Sequence, residues 1–385
     1  MMHVSEVLVA GAGPVGLTAA LALAEAGVAV TVAEKRPALS AASRASTIHP
    51  PTLAILDRLE ILDEVHHRGQ VAERVQYRTP GGVFAEFPLA ALEGETRFPY
   101  RLHLEQAQVT PIILERLRAY RHARVLFDAE VTQVVQRGQR VVARVRHGAG
   151  HETLDGDYLI AADGSRSDVR TALGIAFEGE DYPDKILRVM TDDDLDALLP
   201  GIAPVTYLWN GMKSVSFLRM PDCWRIILRV PKDVDDAQAL DPDWILARLR
   251  EVMPGIERLP TVLMKDVYGV SKRVATRYRD GRVLLAGDSA HVTNTRGGMN
   301  MNCGMHDAFA LTRAIIEANG SGSAFVEQAS DERRRIATQM LIPRTDRSVA
   351  GGDAWLAHVR EMANDRAKTV EHLRTTAMLD MAPAA

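Results

Sequence analysis

Residues 6–34 read EVLVAGAGPVGLTAALALAEAGVAVTVAE, and this stretch decides the fold. Its composition predicts a buried strand at Glu6–Ala10, a helix at Leu17–Ala26 and a second buried strand at Val28–Ala33. Continuous apolar strands on either side of a helix are typical of parallel strands that are covered on both faces. The segment therefore predicts a βαβ unit and an α/β fold.

The turn between the first strand and the helix has the pattern G-x-G-x-x-G, with Gly11, Gly13 and Gly16. The first glycine permits a tight turn, the second lets the backbone approach a pyrophosphate, and the third lets helix and strand pack closely. The helix N-terminus offers free N–H groups to phosphates. Glu34 ends the second strand, where a carboxylate accepts both ribose hydroxyls of an adenosine and repels a 2′-phosphate. These features predict a dinucleotide site and by themselves leave NAD and FAD open.

Composition and charge exclude several classes of protein. The chain has 385 residues, of which 46% are hydrophobic and 25% charged, with a net charge of −4. These values are ordinary for a globular protein and argue against disorder, collagen and a disulfide scaffold. The small acidic excess predicts neither a nucleic-acid partner nor a membrane partner. With only Cys223 and Cys303 and no evident signal peptide, the chain is expected to be cytoplasmic.

Two further buried strands end in short polar motifs. Tyr158–Ala162 is followed by Asp163 and Gly164, and Arg282–Ala286 is followed by Gly287-Asp288. An open α/β sheet places its ligands at the carboxyl ends of its strands. Both motifs are therefore expected at the same sheet edge as the glycine-rich turn.

The three motifs together resemble those of a known family. The second motif, DGSRSDVR, covers 163–170, and the third, GDSAH, covers 287–291 and is followed by GGMNMNCG at 297–304. In this order and spacing they are similar to the single-component FAD-dependent aromatic hydroxylases of the para-hydroxybenzoate hydroxylase type. The resemblance extends over about residues 5–345 and selects FAD as the bound cofactor.

This resemblance implies a Rossmann-like FAD-binding domain with an inserted, mostly antiparallel β-sheet substrate lobe and C-terminal helices. Alternating runs split by proline and glycine between 175 and 274 also predict the antiparallel sheet. The expected boundaries are 1–75, 101–175 and 273–345 for the FAD-binding domain, 76–100 and 176–272 for the substrate lobe, and 346–385 for the C-terminal helices.

The resemblance also assigns cofactor residues by position. Asp163 would lie near FAD and serve the use of NADH or NADPH, and Asp288 would take a ribityl hydroxyl. The loop at 297–302 would present N–H groups to the edge of the flavin that becomes anionic on reduction. The residues assigned to FAD are Gly11, Gly13, Pro14, Val15, Gly16, Glu34, Lys35, Arg44, Gln106, Asp163, Gly164, Asp288, Gly298, Met299, Asn300, Met301 and Asn302.

The implied activity is hydroxylation of a phenolic or hydroxylated N-heteroaromatic ring with NADH or NADPH and O2, through a C4a-hydroperoxyflavin. Such an intermediate must be kept from water, so the lobe is expected to close an apolar pocket over the flavin. The expected partners are a small aromatic substrate and O2, and a homodimer is common in the family. Two alternatives remain open: an FAD-dependent oxidoreductase of the same fold without hydroxylation, and a non-catalytic nucleotide-binding module.

Candidate substrate contacts lie on the lobe and in the third motif. Tyr207 would bond a ring hydroxyl, and Arg219 would pair with a substrate carboxylate. Trp224 is the third candidate on the lobe, although aromatic strand residues are more often core and strand-edge arginines more often solvated. Asn294 and Thr295 complete the set, at positions where the family often has two prolines.

The remaining candidates have structural interpretations beside functional ones. No catalytic base is assigned, because none is universal in the family. His291 is interpreted as ordering the third motif rather than moving a proton, and His103 as a surface residue rather than a flavin contact. Cys303 is interpreted as a packing residue rather than a reactive thiol. No cluster has the spacing of metal ligands, and Asn300 stands where the family usually has glycine.

Overall fold

The structure is a computed structural model that describes residues 4–42, 44–318 and 323–383. In chain order, the strands are β1 Glu6–Ala10, β2 Ala29–Ala33, β3 Thr47–Ile48, β4 Gln70–Ala72, β5 Arg74–Thr79, β6 Gly82–Pro88, β7 Arg101–His103, β8 Ala123–Leu126, β9 Ala129–Arg137, β10 Arg140–His147, β11 Gly150–Gly156, β12 Tyr158–Ala161, β13 Phe177–Asp181, β14 Lys185–Thr191, β15 Val205–Asn210, β16 Lys213–Arg219, β17 Trp224–Val230, β18 Met264–Tyr268, β19 Ser271–Ala275, β20 Arg279–Asp280, β21 Val283–Leu285 and β22 His291–Val292. The α-helices are α1 Pro14–Glu25, α2 Pro50–Arg58, α3 Leu62–Arg68, α4 Gln106–Arg118, α5 Asp168–Ala172, α6 Asp236–Ala239, α7 Pro242–Val252, α8 Asn300–Glu317, α9 Ala324–Ile336, α10 Ile342–Ala350, α11 Asp353–Ala363 and α12 Arg366–Thr376.

A six-stranded sheet in the order β20-β21-β12-β1-β2-β8 contains the predicted βαβ unit. Its strands are parallel except for the edge strand β20. The carboxyl ends of β1, β2, β12 and β21 therefore meet at one edge, which brings the three motifs together. The helix of the unit begins at Pro14, before the predicted Leu17, because proline fits the first position of a helix.

Both faces of this sheet are covered, which explains the continuous apolar runs in its strands. Val7 and Val9 pack toward the core formed with α1, α4 and α8. Leu8 and Ala10 pack on the other face against the three-stranded sheet β11-β10-β9. The predicted turn at Gly138 joins β9 to β10, and its φ of +61° is one that glycine adopts without strain.

A seven-stranded sheet in the order β18-β14-β17-β16-β15-β5-β6 forms the second layer. Its pairs are antiparallel except for β15 with β5. Leu187, Phe217 and Ile226 on one face pack against α6 and α7. The opposite face looks back toward the six-stranded sheet, and together these layers confirm the predicted fold class.

Helices α10–α12 close the end of the seven-stranded sheet. Phe87 of β6 packs with Val359 of α11 and with Leu373 and Ala377 at α12. Helix α9 continues into α10 through a π-helical turn at Ala337–Leu341. None of the helices in the described ranges combines the length and apolarity needed to span a bilayer.

Candidate active site

A cavity of about 710 Å³ extends from the carboxyl edge of the six-stranded sheet to the inner face of the seven-stranded sheet. Its walls include Glu34 at one end, Asp163 and Asp288 between the motifs, and Tyr207 and Ser216 on the second sheet. The residues assigned to FAD that line it are Gly11, Gly13, Pro14, Val15, Glu34, Lys35, Arg44, Gln106, Asp163, Gly164, Asp288, Gly298, Met299, Asn300 and Met301.

The three glycines of the first motif are required for different structural reasons. A Cβ on Gly11, whose φ is +97°, would overlap the Ala162 carbonyl oxygen, and one on Gly16 would overlap the Gly11 carbonyl oxygen. A Cβ on Gly13 would meet no protein atom within 4 Å. The open space beside Gly13 belongs to the cavity, whose wall Gly13 forms. Gly13 also caps α1 without a side-chain hydrogen bond, which leaves N–H groups of the first turn available to phosphates.

Glu34 joins the acidic strand tip to the glycine-rich turn. Its Oε2 accepts a hydrogen bond of 2.7 Å from the Ala12 N–H, and its Oε1 accepts one of 3.1 Å from the Arg36 N–H. The side chain is only 8% exposed, and it lines the cavity. Because a carboxylate oxygen accepts more than one hydrogen bond, both atoms keep capacity for ribose hydroxyls.

Asp163 has a buried oxygen that accepts no hydrogen bond from the part of the chain that the structure describes. Its Oδ2 accepts from the Val169 N–H at 3.2 Å, whereas its Oδ1 is buried without a hydrogen-bond partner. Burial raises the pKa of this carboxyl group above its ordinary value. Buried polar atoms in native proteins nearly always have a partner, so the orphaned oxygen indicates a donor supplied by a ligand. The residues present thus fit a dinucleotide cofactor.

Asp288 is tied into a buried network behind the third motif. Asn300 Nδ2 donates to Asp288 Oδ1 at 2.8 Å, and Asn300 Oδ1 lies 3.2 Å from His291 Nδ1. His291 Nε2 lies 2.9 Å from Asp307 Oδ2, and Arg333 Nε donates to Asp307 Oδ1 at 2.7 Å. Burial opposes charge on His291, but Cys303 and the Asp307 carboxylate raise its pKa well above the ordinary value. His291 is therefore held by both ring nitrogens, between the Asn300 amide and the Asp307 carboxylate.

The same network brings together three potential metal ligands, two of them one turn apart on α8. The ligand atoms of His291, Cys303 and Asp307 lie within 4.8 Å of one another. Arg333 bonds Asp307 and also lies 3.3 Å from Cys303 Sγ. The guanidinium is thus in direct contact with two of the three side chains.

Two residues assigned to FAD do not line the cavity. Gly16 is required by the close approach of Gly11. Asn302 is fully buried, donates to the Thr47 and Gly298 carbonyl groups at 2.8 and 2.7 Å, and accepts from the His49 N–H at 2.9 Å. Asn302 therefore holds the loop in place instead of facing the cavity.

The seven-stranded sheet presents alternate residues of β17 to the cavity. Arg225, Ile227 and Arg229 line it, whereas Trp224 belongs to the core beneath α6 and α7. The placement of Trp224 therefore contradicts a direct substrate contact. Its ring is fixed on the face that the helices cover.

Arg219 also lies outside the cavity. Its guanidinium lies 5.5 Å from the Trp224 ring, and its carbonyl group is 2.6 Å from His103 Nδ1. His103 is fully buried, so the prediction of a surface histidine is wrong. It is enclosed because β7 is the central strand between β3 and β4. Burial lowers the pKa of His103 to about 4, which makes it neutral.

Three of the predicted substrate residues do line the cavity: Tyr207, Asn294 and Thr295. Asn294 Oδ1 accepts from the Arg296 N–H at 2.9 Å, and its Nδ2 donates to the Tyr182 hydroxyl at 3.0 Å. A proline at this position would make neither bond. The departure from the family pattern therefore has a structural role in shaping the loop.

Sequence reasoning missed several polar residues of the cavity. Side chains in β16 and β17 alternate between the two faces of the sheet, and this alternation was the sequence signal for half of the missed residues. Arg101 and Arg296 had no such signal, since neither lies on a strand assigned to the lobe. The missed residues are Arg101, Arg188, Ser214, Ser216, Arg225, Arg229, Tyr268 and Arg296.

A βαβ phosphate loop, an acidic strand tip and a long cavity reaching a second sheet together define a dinucleotide-binding protein of the α/β class. Residues 4–342 match the model of the FAD binding domain family, and the chain belongs to that family. The resemblance drawn from the three motifs is therefore confirmed.

Similar proteins are aromatic monooxygenases. The chain is 30% identical over 358 residues to para-nitrophenol 4-monooxygenase from Pseudomonas sp. strain WBC-3, covering 89% of this chain and 86% of that protein. It is 31% identical over 392 residues to 6-hydroxy-3-succinoylpyridine 3-monooxygenase from Pseudomonas putida strain S16, covering 96% of each. The crystal structure of p-nitrophenol 4-monooxygenase from Pseudomonas putida DLL-E4 superimposes with a TM-score of 0.90 at 27% identity, covering 100% of this chain and 99% of that one. The chain is thus an FAD-dependent aromatic monooxygenase, and its substrate is a small aromatic compound.

Proposed function

We propose that this enzyme hydroxylates a phenolic or hydroxylated N-heteroaromatic ring with O2 and either NADH or NADPH. One observation carries the proposal: the cavity that joins the three motifs continues onto the polar inner face of the seven-stranded sheet. A ring on that face would lie beside the third motif. The named substrates of the two similar monooxygenases, a nitrophenol and a hydroxypyridine, support a ring that carries a hydroxyl group.

FAD supplies, when bound, the passage of electrons from the nicotinamide donor and the activation of O2. In the proposal, the loop Gly11–Val15 and the start of α1 hold the pyrophosphate, and Glu34 holds the adenosine ribose. Asp288 accepts a hydrogen bond from a ribityl hydroxyl, and Asp163 accepts a hydrogen bond from the cofactor at its Oδ1 atom. The first turn of α8, which Met299 caps without a side-chain hydrogen bond, offers N–H groups to the pyrimidine edge.

Residues of the second sheet would position the ring and exclude water. Tyr207 lies against Tyr77, with ring centroids 5.3 Å apart, so its orientation is set by packing before a substrate arrives. We assign the Tyr207 hydroxyl to the ring hydroxyl of the substrate. Part of the cavity wall is apolar and is formed by Ile186, Leu218 and Ile227. An apolar wall excludes water, which strengthens the polar contacts to the ring.

The test is oxygen insertion by the purified yellow holoenzyme under ¹⁸O2, with 4-nitrophenol and 6-hydroxy-3-succinoylpyridine as probes and NADH and NADPH compared. We expect at least one ring to accelerate oxidation of the nicotinamide and to gain one ¹⁸O atom. Nicotinamide oxidation that no ring accelerates, with hydrogen peroxide as the only oxygen product, would support the oxidoreductase without hydroxylation. The homodimer and the cytoplasmic location stay predictions.

A further inference from the structure

A second cavity of about 160 Å³ lies beside the first, between the β5–β15 end of the seven-stranded sheet and helices α10–α12. Its outer walls include Phe87, Trp355 and His372. The residues that line both cavities are Arg101, Tyr207, Arg296, Gly297 and Met299. These residues form the boundary between the ring cavity and the second cavity.

Arg101 is a buried cation that lacks a counter-ion at this boundary. Its side chain is 3% exposed, and its Nη2 donates to the Thr376 carbonyl oxygen at 2.9 Å. Its Nε is buried without a partner, and no carboxylate of the described residues lies within 4.0 Å of it. A buried charge without an opposite charge is costly, so the arrangement calls for an anion from outside the chain.

Arg296 places a second cation at the same boundary. Its Nη1 and Nη2 donate to Ser216 Oγ at 2.8 Å and Ser214 Oγ at 2.7 Å. The guanidinium lies 5.2 Å from the ring centroids of Tyr207 and Trp209. It too has no carboxylate within 4.0 Å in the described part of the chain. Burial, together with Arg229, lowers the pKa of Arg296 to about 10, which keeps it charged at neutral pH.

The unsatisfied groups around the second cavity are all donors. Among the described residues, Trp209 Nε1 and Trp355 Nε1 have no hydrogen-bond partner and are buried, like Arg101 Nε. Two histidines, His358 and His372, also line this cavity, and His372 is neutral at pH 7, since burial, His358 and Arg101 lower its pKa to about 4. A chamber with spare donors and positive charges is complementary to a carboxylate.

We propose that the second cavity is a subsite for an anionic side group of the aromatic substrate, held by Arg101 and Arg296. The ligand class is a hydroxylated ring that bears a carboxylate on a short carbon chain. The ring stays in the first cavity beside the third motif, and the chain passes between the two arginines. This inference rests on the proposed function, because it assumes that the ring lies on the inner face of the sheet.

The test compares two probes that differ only in charge: 3-(4-hydroxyphenyl)propionate and its primary amide. Binding to the holoenzyme is measured without turnover, from the change in flavin absorbance on titration. At pH 7 the ring hydroxyl of both probes is neutral, so the carboxylate is the sole anion. We expect the acid to bind at least tenfold more tightly than the amide.

The variants Arg101→Gln and Arg296→Gln should each weaken binding of the acid at least tenfold and change binding of the amide less than threefold. Arg101→Lys and Arg296→Lys should restore part of the preference. Arg137→Gln, an exposed arginine on β9, is the matched control and should behave like the parent. Flavin content verifies that each variant is folded.

Equal binding of acid and amide by the parent enzyme would overturn the subsite, and this comparison needs no variant. The same would follow if the glutamine variants kept the preference for the acid. These outcomes differ from failure of the proposed function. If no ¹⁸O is inserted but the acid still binds more tightly than the amide, the proposed hydroxylation is wrong and the subsite stands. If ¹⁸O is inserted but acid and amide bind equally, only the subsite is wrong.

Discussion

Asn300 Nδ2 donates a hydrogen bond of 2.8 Å to Asp288 Oδ1, at a position where the family resemblance implies glycine. The bond connects the carboxylate assigned to the ribityl chain with the ring of His291 and with the Asp307–Arg333 ion pair. The charge state of Asp288 is therefore set by a network rather than by one neighbour. Burial raises the pKa of Asp288, whereas His291, Arg44 and the Asn300 bond oppose that rise.

Asp288→Ala is expected to raise the dissociation constant of FAD at least tenfold. A hydrogen bond to a charged group contributes about 1.5–3 kcal/mol to binding. This variant also removes the acceptor of the Asn300 amide. Asn300→Gly is the matched control, because it removes the amide but keeps the carboxylate, and it should weaken binding less. Titration of the apoprotein with FAD, followed by flavin fluorescence, measures both. An Asp288→Ala protein that holds FAD like the parent would refute the assignment.

Gly13→Asp should impair FAD binding, whereas Gly16→Ala should impair the stability of the fold. A Cβ at Gly13 meets no atom of the described residues within 4 Å, so we expect unchanged thermal stability of the Gly13→Asp apoprotein. We expect at least tenfold weaker FAD binding, since the new charge would face the pyrophosphate. A methyl group at Gly16 overlaps the Gly11 carbonyl oxygen, so that variant should lose stability even without FAD. Thermal unfolding of the two apoproteins separates the cases, and a stable Gly16→Ala apoprotein would contradict the packing role.

Asp307→Asn should destabilise the enzyme by about 3–5 kcal/mol, because it leaves Arg333 as a buried cation without its carboxylate and removes the acceptor beside His291 Nε2. Urea unfolding at pH 7 gives the free energy of unfolding. Glu332→Gln, which breaks the exposed ion pair with Arg335, is the control and should cause a much smaller change. Similar losses in both variants would show that the buried network has no special role in stability.

Acidification should destabilise the fold through His372. Burial lowers the pKa of His372 to about 4 in the folded protein, whereas its ordinary value is near 6.5. Between these two pH values the histidine is protonated in the unfolded chain and neutral in the folded protein, which favours unfolding. The free energy of unfolding should therefore fall as pH drops, by about 2 kcal/mol between pH 7 and pH 5 for this one group. His372→Phe, which keeps a ring against Phe87, should remove that part of the slope, and His151→Gln on the surface should not. An unchanged slope in His372→Phe would be the contrary result.

Tyr207→Phe and Trp224→Phe test which face of the second sheet binds substrate. Tyr207 lines the cavity, so its loss should raise the KM of the aromatic substrate roughly tenfold, the effect of one hydrogen bond of about 1–1.5 kcal/mol. Trp224 packs under α6 and α7, so its replacement should lower stability and leave KM unchanged. Steady-state kinetics on flavin-loaded protein measures this difference. The opposite pattern would place the substrate elsewhere.

Local patterns in the sequence were sufficient for the βαβ unit and for the common edge of the three motifs. Residues 6–34 are contiguous, and parallel strands necessarily present their carboxyl ends together, so Glu34 and Asp288 were expected at one ligand site. Period-two alternation also predicted that β17 has two faces. It does not say which face the helices cover, so Trp224 was assigned to the wrong one.

Tertiary structure alone decided which charges converge. Arg101 and Arg296 lie far apart in the chain, on a short strand and on a loop, and they line the same two cavities because two sheets and the C-terminal helices pack there. His291, Cys303 and Asp307 likewise gather around Arg333 only after α8 and α9 pack together. Secondary structure depends on neighbours in sequence, whereas the pairing of a buried charge depends on neighbours in space, and those are set by the packing of whole elements.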